Sequence, residues 1–351
     1  MVEQKCKIGI VGAGGIARIC HIPGMKKLNN VEIIGIADIK EESAKSVAKE
    51  FGIPNVFKDY KKLIEMDEID IVDICTPNCS HYQITIDSLK AGKHVICEKP
   101  LAISVQQVKE MINTARRYKK KLMSIQNHRF RPEVIKIKEM IDNGYFGETY
   151  FARAHALRRR GVPALPTFIK KSIAGGGPMF DIGVHILDLT YWLMGCPEVK
   201  SVTGITLTKL AKQKDIRGDW GEWDRDIYDV EDFSAGFVKF KDGSGLNIET
   251  SFLLNMKEKE IFATQVFGTK GGFYIPWGSP AEIYTEKNGI HMTTQITNVP
   301  EVAPHQEQIN AFIESVLEDK PLPVPPEQSL EVIKILEAIY ISNKTGKEVI
   351  F

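Results

Sequence analysis

The amino-terminal segment carries a spacing of glycines that suits the binding of a dinucleotide. Gly12 and Gly14 follow a short apolar run, and Ala17 completes a G-x-G-x-x-A pattern that leads into a helical sequence. The first glycine permits a tight turn, the second lets the backbone approach a pyrophosphate, and the small third residue allows close packing of helix on strand. Gly15 and Ile16 lie at the start of that helix, where free N–H groups attract phosphate. We therefore expect a dinucleotide site at this turn.

An acid follows the second apolar run of the chain. The run 31–37 ends at Asp38, about 20 residues past the glycines, where the ribose hydroxyls of adenosine need an acceptor. A carboxylate at this place accepts a hydrogen bond from the 2′-hydroxyl and repels a 2′-phosphate. NAD is therefore the expected cofactor, although Lys40 keeps NADP possible. The alternative is a glycine-rich turn that binds nothing.

Two further groups of polar residues follow the apolar runs 69–74 and 94–97. Ligands of parallel sheets bind at the carboxyl ends of the strands, so both groups are candidates for contact with the cofactor. Lys99 is expected to reach the nicotinamide end, although lysines are more often simply solvated. Asn78 is equally well explained as a helix cap. The candidate cofactor contacts after these two runs are Thr76, Pro77, Asn78, His81, Glu98 and Lys99.

Asp181 and His185 stand four residues apart in a stretch with helical periodicity. At that spacing both side chains project from one face of a helix. The plainer alternative is a first-turn acid and a surface histidine. Gly183 between them disfavours it, because a glycine inside a helix costs about 1 kcal/mol relative to alanine. The preceding glycines, 175–177, allow a close backbone approach or a mobile loop. No metal is expected, since no third ligand lies at a telling spacing.

The elements that must position the first groups alternate regularly through residue 125. Alternation of strands and helices predicts a parallel, doubly wound sheet with helices on both faces, which is an α/β Rossmann domain over 1–126. The predicted strands are 8–11, 31–37, 69–74, 94–97 and 122–125, and the predicted helices are 15–28, 41–51, 59–66, 78–91 and 104–120.

After residue 126 the pattern changes. Arg131–Asn143 is typical of a connecting helix with Pro132 in its first turn. β-branched runs joined by short turns, with a hairpin signal at Asp242-Gly243, predict a mostly antiparallel sheet in an α+β domain over 127–351. The predicted strands are 149–157, 199–207, 232–241, 245–254 and 261–268, and helices are predicted over 304–319 and 327–343.

Composition excludes several classes of protein. The 351 residues suggest two domains, and a net charge of +1 gives no field that favours nucleic acid or a membrane surface as a partner. No apolar run reaches the roughly 18 residues of a membrane span, and no signal-peptide core precedes the first strand. The six cysteines are scattered without a C-x-x-C pair. We therefore expect a cytoplasmic protein with reduced thiols.

Three segments together resemble the glucose–fructose oxidoreductase/inositol dehydrogenase/MocA family: the glycine turn 12–17, Glu98-Lys99-Pro100, and 175–185 with its Asp-Ile-Gly-Val-His core. Domain order, length and strand pattern match along nearly the whole chain. The resemblance implies a Rossmann domain followed by a large open sheet used for subunit contacts in a homodimer or homotetramer. It also implies NAD(P)-linked redox chemistry on sugars, inositols or related cyclic polyols. The resemblance assigns the catalytic roles to Lys99, Asp181 and His185.

The chemistry of alcohol oxidation agrees with those roles. The cofactor takes a hydride from carbon, and the protein must take a proton from oxygen. His185, with an ordinary pKa of about 6.5, suits the base. Lys99 can hydrogen-bond the reacting oxygen and stabilise negative charge there, and Asp181 can accept from a substrate hydroxyl. In the reductive direction His185 becomes the acid.

Substrate recognition is less well specified. The run 158–160 is three arginines, which can bind a phosphate or carboxylate but more often form a solvated face. Trp220, Trp223 and Tyr228 suit a sugar ring and a subunit contact equally. The segment 126–130 follows the predicted strand 122–125 and can line the site. The candidate substrate contacts are Lys99, Asn127, Arg129, His155, Asp181 and His185.

Three functions compete. The main interpretation is an NAD(P)-dependent dehydrogenase or reductase acting on a secondary alcohol or ketone of a cyclic polyol or sugar. The second is an NAD-dependent glycosidase that oxidises its sugar transiently, without net NADH. The third is a non-catalytic NAD-binding regulator, which would be expected to lose Lys99 and His185, whereas both are present.

Overall fold

A computed structural model describes residues 5–351. The chain divides into two compact units, the first with residues up to Phe130 and Val302–Leu330, the second with Arg131–Glu301 and Glu331–Phe351. This division differs from the expected one, 1–126 and 127–351, because a late helix returns to the first unit. Its residues Ile309 and Phe312 belong to the same buried apolar cluster as strand residues of the first unit.

The first unit contains a six-stranded parallel sheet in the order β3-β2-β1-β4-β5-β6. In such a sheet the order of successive strands reverses between β1 and β4, and ligands bind at the carboxyl ends of the strands at that point. The doubly wound α/β prediction is confirmed. The strands are β1 Cys6–Val11, β2 Val31–Ala37, β3 Asn55–Phe57, β4 Ile71–Ile74, β5 His94–Cys97 and β6 Leu122–Ser124.

The second unit contains a nine-stranded sheet in the order β14-β13-β12-β11-β7-β10-β9-β8-β15. Only the β7–β10 pair is parallel, so the prediction of a mostly antiparallel sheet is confirmed. Its strands are β7 Thr149–Arg158, β8 Val199–Leu207, β9 Phe233–Phe240, β10 Gly245–Ser251, β11 Glu260–Gly268, β12 Gly271–Pro276, β13 Ala281–Lys287, β14 Ile290–Ile296 and β15 Val349–Ile350.

The helices lie close to their predicted positions. Those of the first unit include the late helix α10, and α11 runs across the boundary between the two divisions of the chain. They are α1 Ile22–Met25, α2 Glu41–Phe51, α3 Tyr60–Ile64, α4 Asn78–Lys90, α5 Val105–Arg117, α6 Pro132–Asp142, α7 Pro166–Ile169, α8 Lys171–Ala174, α9 Val184–Leu193, α10 Pro304–Leu317 and α11 Pro326–Thr345.

Two π-helical turns interrupt the regular helices, and both lie at candidate site segments. Ala17–His21 leads into α1, and the N–H of Ile22 bonds the carbonyl of Ala17 five residues back. Met179–Gly183 leads into α9. Such wide turns are rare and frequently mark functional sites. The sequence predicted ordinary helix over both segments.

None of the helices among residues 5–351 is long and apolar enough to cross a membrane. All six cysteines are free thiols, and Cys6, Cys75 and Cys97 are buried in strands or at a strand end.

Candidate functional site

The glycine turn after β1 has the space that a bound pyrophosphate requires. Gly12 has a φ of +105°, and a Cβ there would lie 2.5 Å from the carbonyl oxygen of Cys75, so no other residue fits. Gly14 and Gly15 are exposed, and a Cβ at either would meet nothing within 4 Å. Ala17 is fully buried, which gives the close helix packing expected of it. The turn therefore fits the phosphates of NAD.

Asp38, directly after β2, is fixed against this turn. Its Oδ2 accepts the backbone N–H of Ala13 at 2.8 Å, and its Oδ1 accepts the N–H of Lys40 at 2.8 Å. The side chain is half-buried, and each carboxylate oxygen keeps a second lone pair. The carboxylate is thus held beside the glycines, where it can accept from a ribose hydroxyl.

The loops after β4 and β5 are tied together by His81. The ring is fully buried; its Nδ1 lies 2.8 Å from the carbonyl of Pro100, and its Nε2 lies 2.8 Å from the carbonyl of Thr76. Burial lowers the pKa of His81. Helix α4 begins at Asn78 with Pro77 in the cap position, so Asn78 is not the cap residue. His81 therefore braces the two loops from inside the unit.

Lys99 follows β5, and its peptide bond to Pro100 is cis. The preceding residue, Glu98, is buried, and its Oε2 accepts the backbone N–H of Lys99 at 3.1 Å. The other oxygen, Oε1, lies 2.8 Å from Nε2 of His21. On the far side of the ring, Nδ1 of His21 lies 2.9 and 3.1 Å from the two oxygens of Asp73. A buried chain of charged groups thus ends at the Lys99 backbone.

The pKa values of this chain follow from its burial and charges. Burial alone would lower the pKa of His21, but the charge and hydrogen bonds of Asp73 raise it well above its ordinary value. Burial alone would raise the pKa of Glu98, but the hydrogen bond and charge of His21, with the charge of Lys99, lower it to about 2. The raised pKa of His21 favours the imidazolium form of a ring that lies between two carboxylates.

The segment after β6 forms a 3₁₀ turn, Asn127–Phe130, that is fixed to α10. Gln308 of α10 accepts the backbone N–H of Gln126 at 2.7 Å and donates to the carbonyl of Ser124 at 2.9 Å. Arg129 is buried and donates to Gln328. The Oδ1 of Asn127 is buried and has no hydrogen-bond partner among residues 5–351. Asn127 therefore keeps an acceptor available for a ligand hydroxyl.

In the second unit, Asp181 lies on the π turn and His185 on α9. Between Met179 and Tyr191 these are the two residues that are not fully buried, while Ile182, Ile186 and their neighbours are buried. The prediction that both side chains project from a face other than the apolar one agrees with this burial pattern. Both side chains therefore keep part of their surface exposed.

The glycines before Asp181 serve close packing. Glu231 is buried, and both its oxygens accept the backbone N–H of Gly177 at 3.0 Å. Its Oε1 also accepts the N–H of Met179 at 3.2 Å and the hydroxyl of Tyr340 at 2.7 Å. A Cβ on Gly177 would collide with the Glu231 backbone carbonyl. Of the two roles predicted for these glycines, the structure shows the close approach.

Gly183 has a packing role of the same kind. A Cβ on Gly183 would lie 2.8 Å from the methyl group of Thr250 in β10. The glycine therefore lets the π turn approach the sheet closely, which accounts for a residue of low helix propensity at this place.

The three arginines of the run 158–160 are engaged within the protein. Arg158 lies 3.8 Å from Oδ2 of Asp181, donates to Glu260 at 3.0 Å, and stacks 4.2 Å from the ring centre of Trp220. Arg160 bonds the carbonyl of Leu254 and the side chain of Asn255, and Arg159 the carbonyl of Lys257. Arg158 therefore lies beside Asp181 at ion-pair distance, with its Nη1 buried and without a hydrogen-bond partner among residues 5–351.

The two aromatic residues 223 and 228 belong to the core. The Trp223 indole donates to the carbonyl of Ala211 at 2.8 Å, and the Tyr228 hydroxyl donates to the carbonyl of Glu231 at 3.0 Å. Both are buried, whereas Trp220 is 53% exposed. Of the three aromatics, Trp220 alone has the exposure that a contact with a sugar or a subunit requires.

His155 is separated from Asp181 and His185 by the nine-stranded sheet. Side chains alternate along β7, and Ala154 shares its face with Thr264, which hydrogen-bonds Thr190 of α9. His155 therefore lies on the opposite face, where its Nε2 is 4.0 Å from Glu249. The structure does not bring this candidate substrate contact to the helix that carries His185.

Sequence reasoning missed His21, Asp73, Glu231 and Tyr340. One signal was present: Asp73 is an acid inside the apolar strand Ile71–Ile74, and a buried carboxylate needs a partner. Nothing in the spacing of His21 or Tyr340 indicates which acid it meets.

Comparisons with known proteins agree with this geometry. Residues 6–126 match the family described as an oxidoreductase family with an NAD-binding Rossmann fold, and residues 134–274 match the GFO/IDH/MocA C-terminal domain. The chain is 36% identical over 350 residues to D-glucoside 3-dehydrogenase of Escherichia coli strain K12, covering 99% of this chain and 98% of that protein. It is 29% identical over 291 residues to glucose-6-phosphate 3-dehydrogenase of Bacillus subtilis strain 168, covering 82% and 78%.

Among solved structures, levoglucosan dehydrogenase in complex with NADH has the same fold, with a TM-score of 0.87 at 22% identity and coverage of 99% of both chains. The prediction of an NAD-binding oxidoreductase is confirmed by the family match, and the glycine turn and Asp38 are the features of this chain that fit the cofactor. The chain belongs to the GFO/IDH/MocA family of oxidoreductases with an NAD-binding Rossmann fold.

Proposed function

We propose that this protein is an NAD-dependent dehydrogenase that oxidises the 3-hydroxyl of a D-glucopyranoside. The observation that carries the proposal is the similarity, over nearly the full length of both chains, to a D-glucoside 3-dehydrogenase. A second relative is named for the same position of glucose. The proposal narrows the sugar and polyol chemistry of these relatives to one carbon of one ring type.

The proposed catalytic residues divide the work of the reaction. Bound NAD supplies the acceptor for the hydride that leaves the substrate carbon. His185 takes the proton of the reacting hydroxyl as general base. Lys99 donates a hydrogen bond to the same oxygen while it becomes a carbonyl. Asp181, whose Oδ2 lies 3.8 Å from Nη1 of Arg158, accepts from a neighbouring substrate hydroxyl.

The engaged arginines favour an uncharged sugar. Arg158 contacts Asp181, Glu260 and Trp220, so a phosphate would have to compete with two carboxylates for its guanidinium. The buried unpartnered Oδ1 of Asn127 offers an acceptor that suits a hydroxyl and repels a phosphate. Both observations support a glycoside over a sugar phosphate as the substrate. His155 is left out of the proposed contacts because of its place on the other sheet face.

The test is an assay of NADH formation with methyl β-D-glucopyranoside, glucose 6-phosphate, levoglucosan and myo-inositol as substrates. Methyl glucoside deuterated at C3 should transfer its deuterium to the cofactor, whereas the isomer deuterated at C2 should not. Absence of NADH with the glucoside, or transfer of the C2 label, would contradict the proposal. Cleavage of an aryl β-D-glucoside without net NADH would support the glycosidase instead.

Variants test the residue roles. Lys99→Ala and His185→Ala should each lower kcat by at least about 100-fold while NAD binding survives. Lys90→Ala, a change of the last residue of α4, is the matched control and should leave kcat unchanged. Near-normal turnover in either of the first two variants would refute its catalytic role.

The preference for NAD over NADP rests on Asp38. Its carboxylate is fixed by the N–H groups of Ala13 and Lys40, so it cannot turn away from a 2′-phosphate without losing two hydrogen bonds. Titration with both cofactors should show tighter binding of NAD, and tighter binding of NADP would refute this preference.

We also propose that copies of this chain pair through the sheet face opposite α9. Phe151, Phe237 and Phe267 lie side by side there, with ring centres 6.2 Å apart, and Phe237 is 40% exposed. Exposed aromatics of this kind suit a protein interface. Phe237→Glu should shift the mass measured by light scattering toward the monomer.

The free thiols of all six cysteines support a reducing, cytoplasmic location.

A further inference from the structure

We propose that His21 is a positioning residue: clamped between Asp73 and Glu98, its ring holds the Glu98 carboxylate against the backbone N–H of Lys99. The inference rests on the proposed role of Lys99 in the reaction. It assigns a function to a histidine on the helix after the glycine turn, far in sequence from the residue it serves.

The contacts form one continuous chain. Nδ1 of His21 lies 2.9 Å from Oδ2 of Asp73, and Nε2 lies 2.8 Å from Oε1 of Glu98. The second oxygen of Glu98 accepts the Lys99 N–H at 3.1 Å. Carboxylate oxygens accept hydrogen bonds, so both ring nitrogens must donate, and only an imidazolium can do so. One charged contact thus anchors the ring on Asp73, and the other holds the Glu98 carboxylate against the ring.

His21 is the cationic group that contacts both Asp73 and Glu98. The titratable groups facing its ring are Asp73 and Cys75 at the end of β4, Glu98 after β5, and His305 of α10, whose ring centre is 6.0 Å away. Burial raises the pKa of Cys75, which keeps it a thiol, and burial lowers the pKa of His305. Neither group replaces the charge of His21.

Two further groups act on this cluster through their charges. Lys99 lowers the pKa of Glu98, as His21 does. Cys20, the neighbour of His21 in the chain, has a raised pKa because of burial and stays a thiol.

Loss of the His21 ring would remove the contact that fixes the Glu98 side chain. His21, Asp73 and Glu98 are 0%, 0% and 6% exposed, so water cannot take over the role of the imidazolium. Without it, the Glu98 carboxylate would turn away or take up a proton, and the Lys99 N–H would lose a charged acceptor. A displacement of 1 Å in a reacting group can cost about 100-fold in rate.

The first experiment compares His21→Gln with the wild-type enzyme, using NAD and methyl β-D-glucopyranoside. A glutamine side chain is neutral and can donate to one of the two carboxylates. We expect kcat to fall by about 10- to 100-fold with KM and NAD affinity little changed. His94→Gln, at the amino end of the strand that leads to Glu98, is the matched control and should retain wild-type kcat.

The pH dependence of activity distinguishes a loss of positioning from a general loss of folded enzyme. In the wild type, Glu98 stays ionised down to a pH of about 2, so loss of activity on the acid side reflects the base alone. In His21→Gln, burial raises the pKa of Glu98, and activity should fall with protonation of two groups. The double variant His21→Gln/Glu98→Gln should return to a one-proton dependence, because residue 98 no longer titrates.

Nitrogen-15 NMR of the His21 ring supplies a test that needs no substrate. Both ring nitrogens should be protonated at pH 8 in the wild type, and a neutral ring would overturn the inference. An unchanged kcat in His21→Gln, or a one-proton profile for that variant, would also overturn it. Normal turnover of Lys99→Ala would instead refute the proposed role of Lys99, and absence of NADH with the glucoside would refute the proposed function, so these failures are distinguishable from that of the inference.

Discussion

The two units each contain a buried glutamate behind a candidate catalytic segment, and the two are held in opposite ways. Glu98 accepts the backbone N–H of Lys99 and receives its other partner from the imidazolium of His21. Glu231 accepts the backbone N–H groups of Gly177 and Met179 and the hydroxyl of Tyr340. One carboxylate is thus held by a charge, and the other by neutral donors alone.

The difference appears in the protonation of the two groups. Burial favours the neutral form of both. The charge of His21 overcomes burial and lowers the pKa of Glu98 to about 2, whereas the neutral donors around Glu231 do not, and its pKa is raised. A cation beside a buried carboxylate therefore lowers its pKa, whereas neutral hydrogen-bond donors alone leave the pKa above its ordinary value.

Removal of the cation should have the largest effect on stability. His21→Leu leaves Asp73 and Glu98 buried without the cation that lies between them, and loss of one partner of a buried ion pair costs about 3–5 kcal/mol. Urea unfolding should measure a loss of that size in the free energy of unfolding. His94→Gln should be close to wild type. A loss below 1 kcal/mol for His21→Leu would mean that the carboxylates find another partner.

In the second unit, a larger residue at the glycine should come next. Gly177→Ala places a methyl group against the backbone carbonyl of Glu231, and overpacking of this kind costs about 1–3 kcal/mol. Gly15→Ala, where a Cβ meets nothing within 4 Å, should unfold at the wild-type urea concentration. Equal stabilities of the two variants would contradict the close approach described above.

Removal of one neutral donor should cost less than either change. Tyr340→Phe deletes the hydroxyl that donates to Glu231 at 2.7 Å but leaves the two backbone donors in place, so a loss of about 1 kcal/mol is expected. Tyr145→Phe, at a 49% exposed position, is the control and should have no measurable effect. A loss for Tyr340→Phe as large as that for His21→Leu would remove the distinction between the two glutamates.

Much of the fold could be predicted because local patterns determine it. The strands His94–Cys97 and Val199–Leu207 and the helix Glu41–Phe51 have the predicted bounds, since their apolar residues recur with clear periods. The strands β12–β14 were missed. In β14 apolar and polar residues alternate only over its first four positions, 290–293, and six of its seven residues are exposed, so the pattern that marks a strand is incomplete.

The return of α10 to the first unit depends on contacts between residues more than 180 positions apart, such as Gln126 and Gln308. Local patterns carry no information on such pairs. The domain boundary was therefore predicted four residues early and without the returning helix.

The candidate site was predictable to the extent that single residue types carry the chemistry. Gly12 and Asp38 have the places that their spacing indicates. His155 was chosen without regard to the pleat, which places it on the far side of the sheet. His21 could not be found, because a π turn directs it into the core, and a helical reading of the segment gives no such direction.

The smallest effect expected is a difference between Glu98 and Glu231 in how the contribution of each to the free energy of unfolding changes with pH. A lowered pKa, as for Glu98, stabilises the fold above the ordinary pKa, and this contribution is lost only as pH falls toward about 2. A raised pKa, as for Glu231, contributes at low pH and is lost as pH rises through the folded-state value. Between pH 5 and 8 the destabilisation caused by Glu98→Gln should therefore be constant.

Over the same range, the destabilisation caused by Glu231→Gln should shrink with rising pH. The sign of this drift is the prediction, since each unit by which burial raises the pKa of Glu231 corresponds to about 1.4 kcal/mol. Urea unfolding of both variants and the wild type at several pH values measures it. Parallel curves for the two variants would contradict the role assigned to the imidazolium. A constant destabilisation for Glu98→Gln beside a shrinking one for Glu231→Gln would tie the difference to the charge of His21.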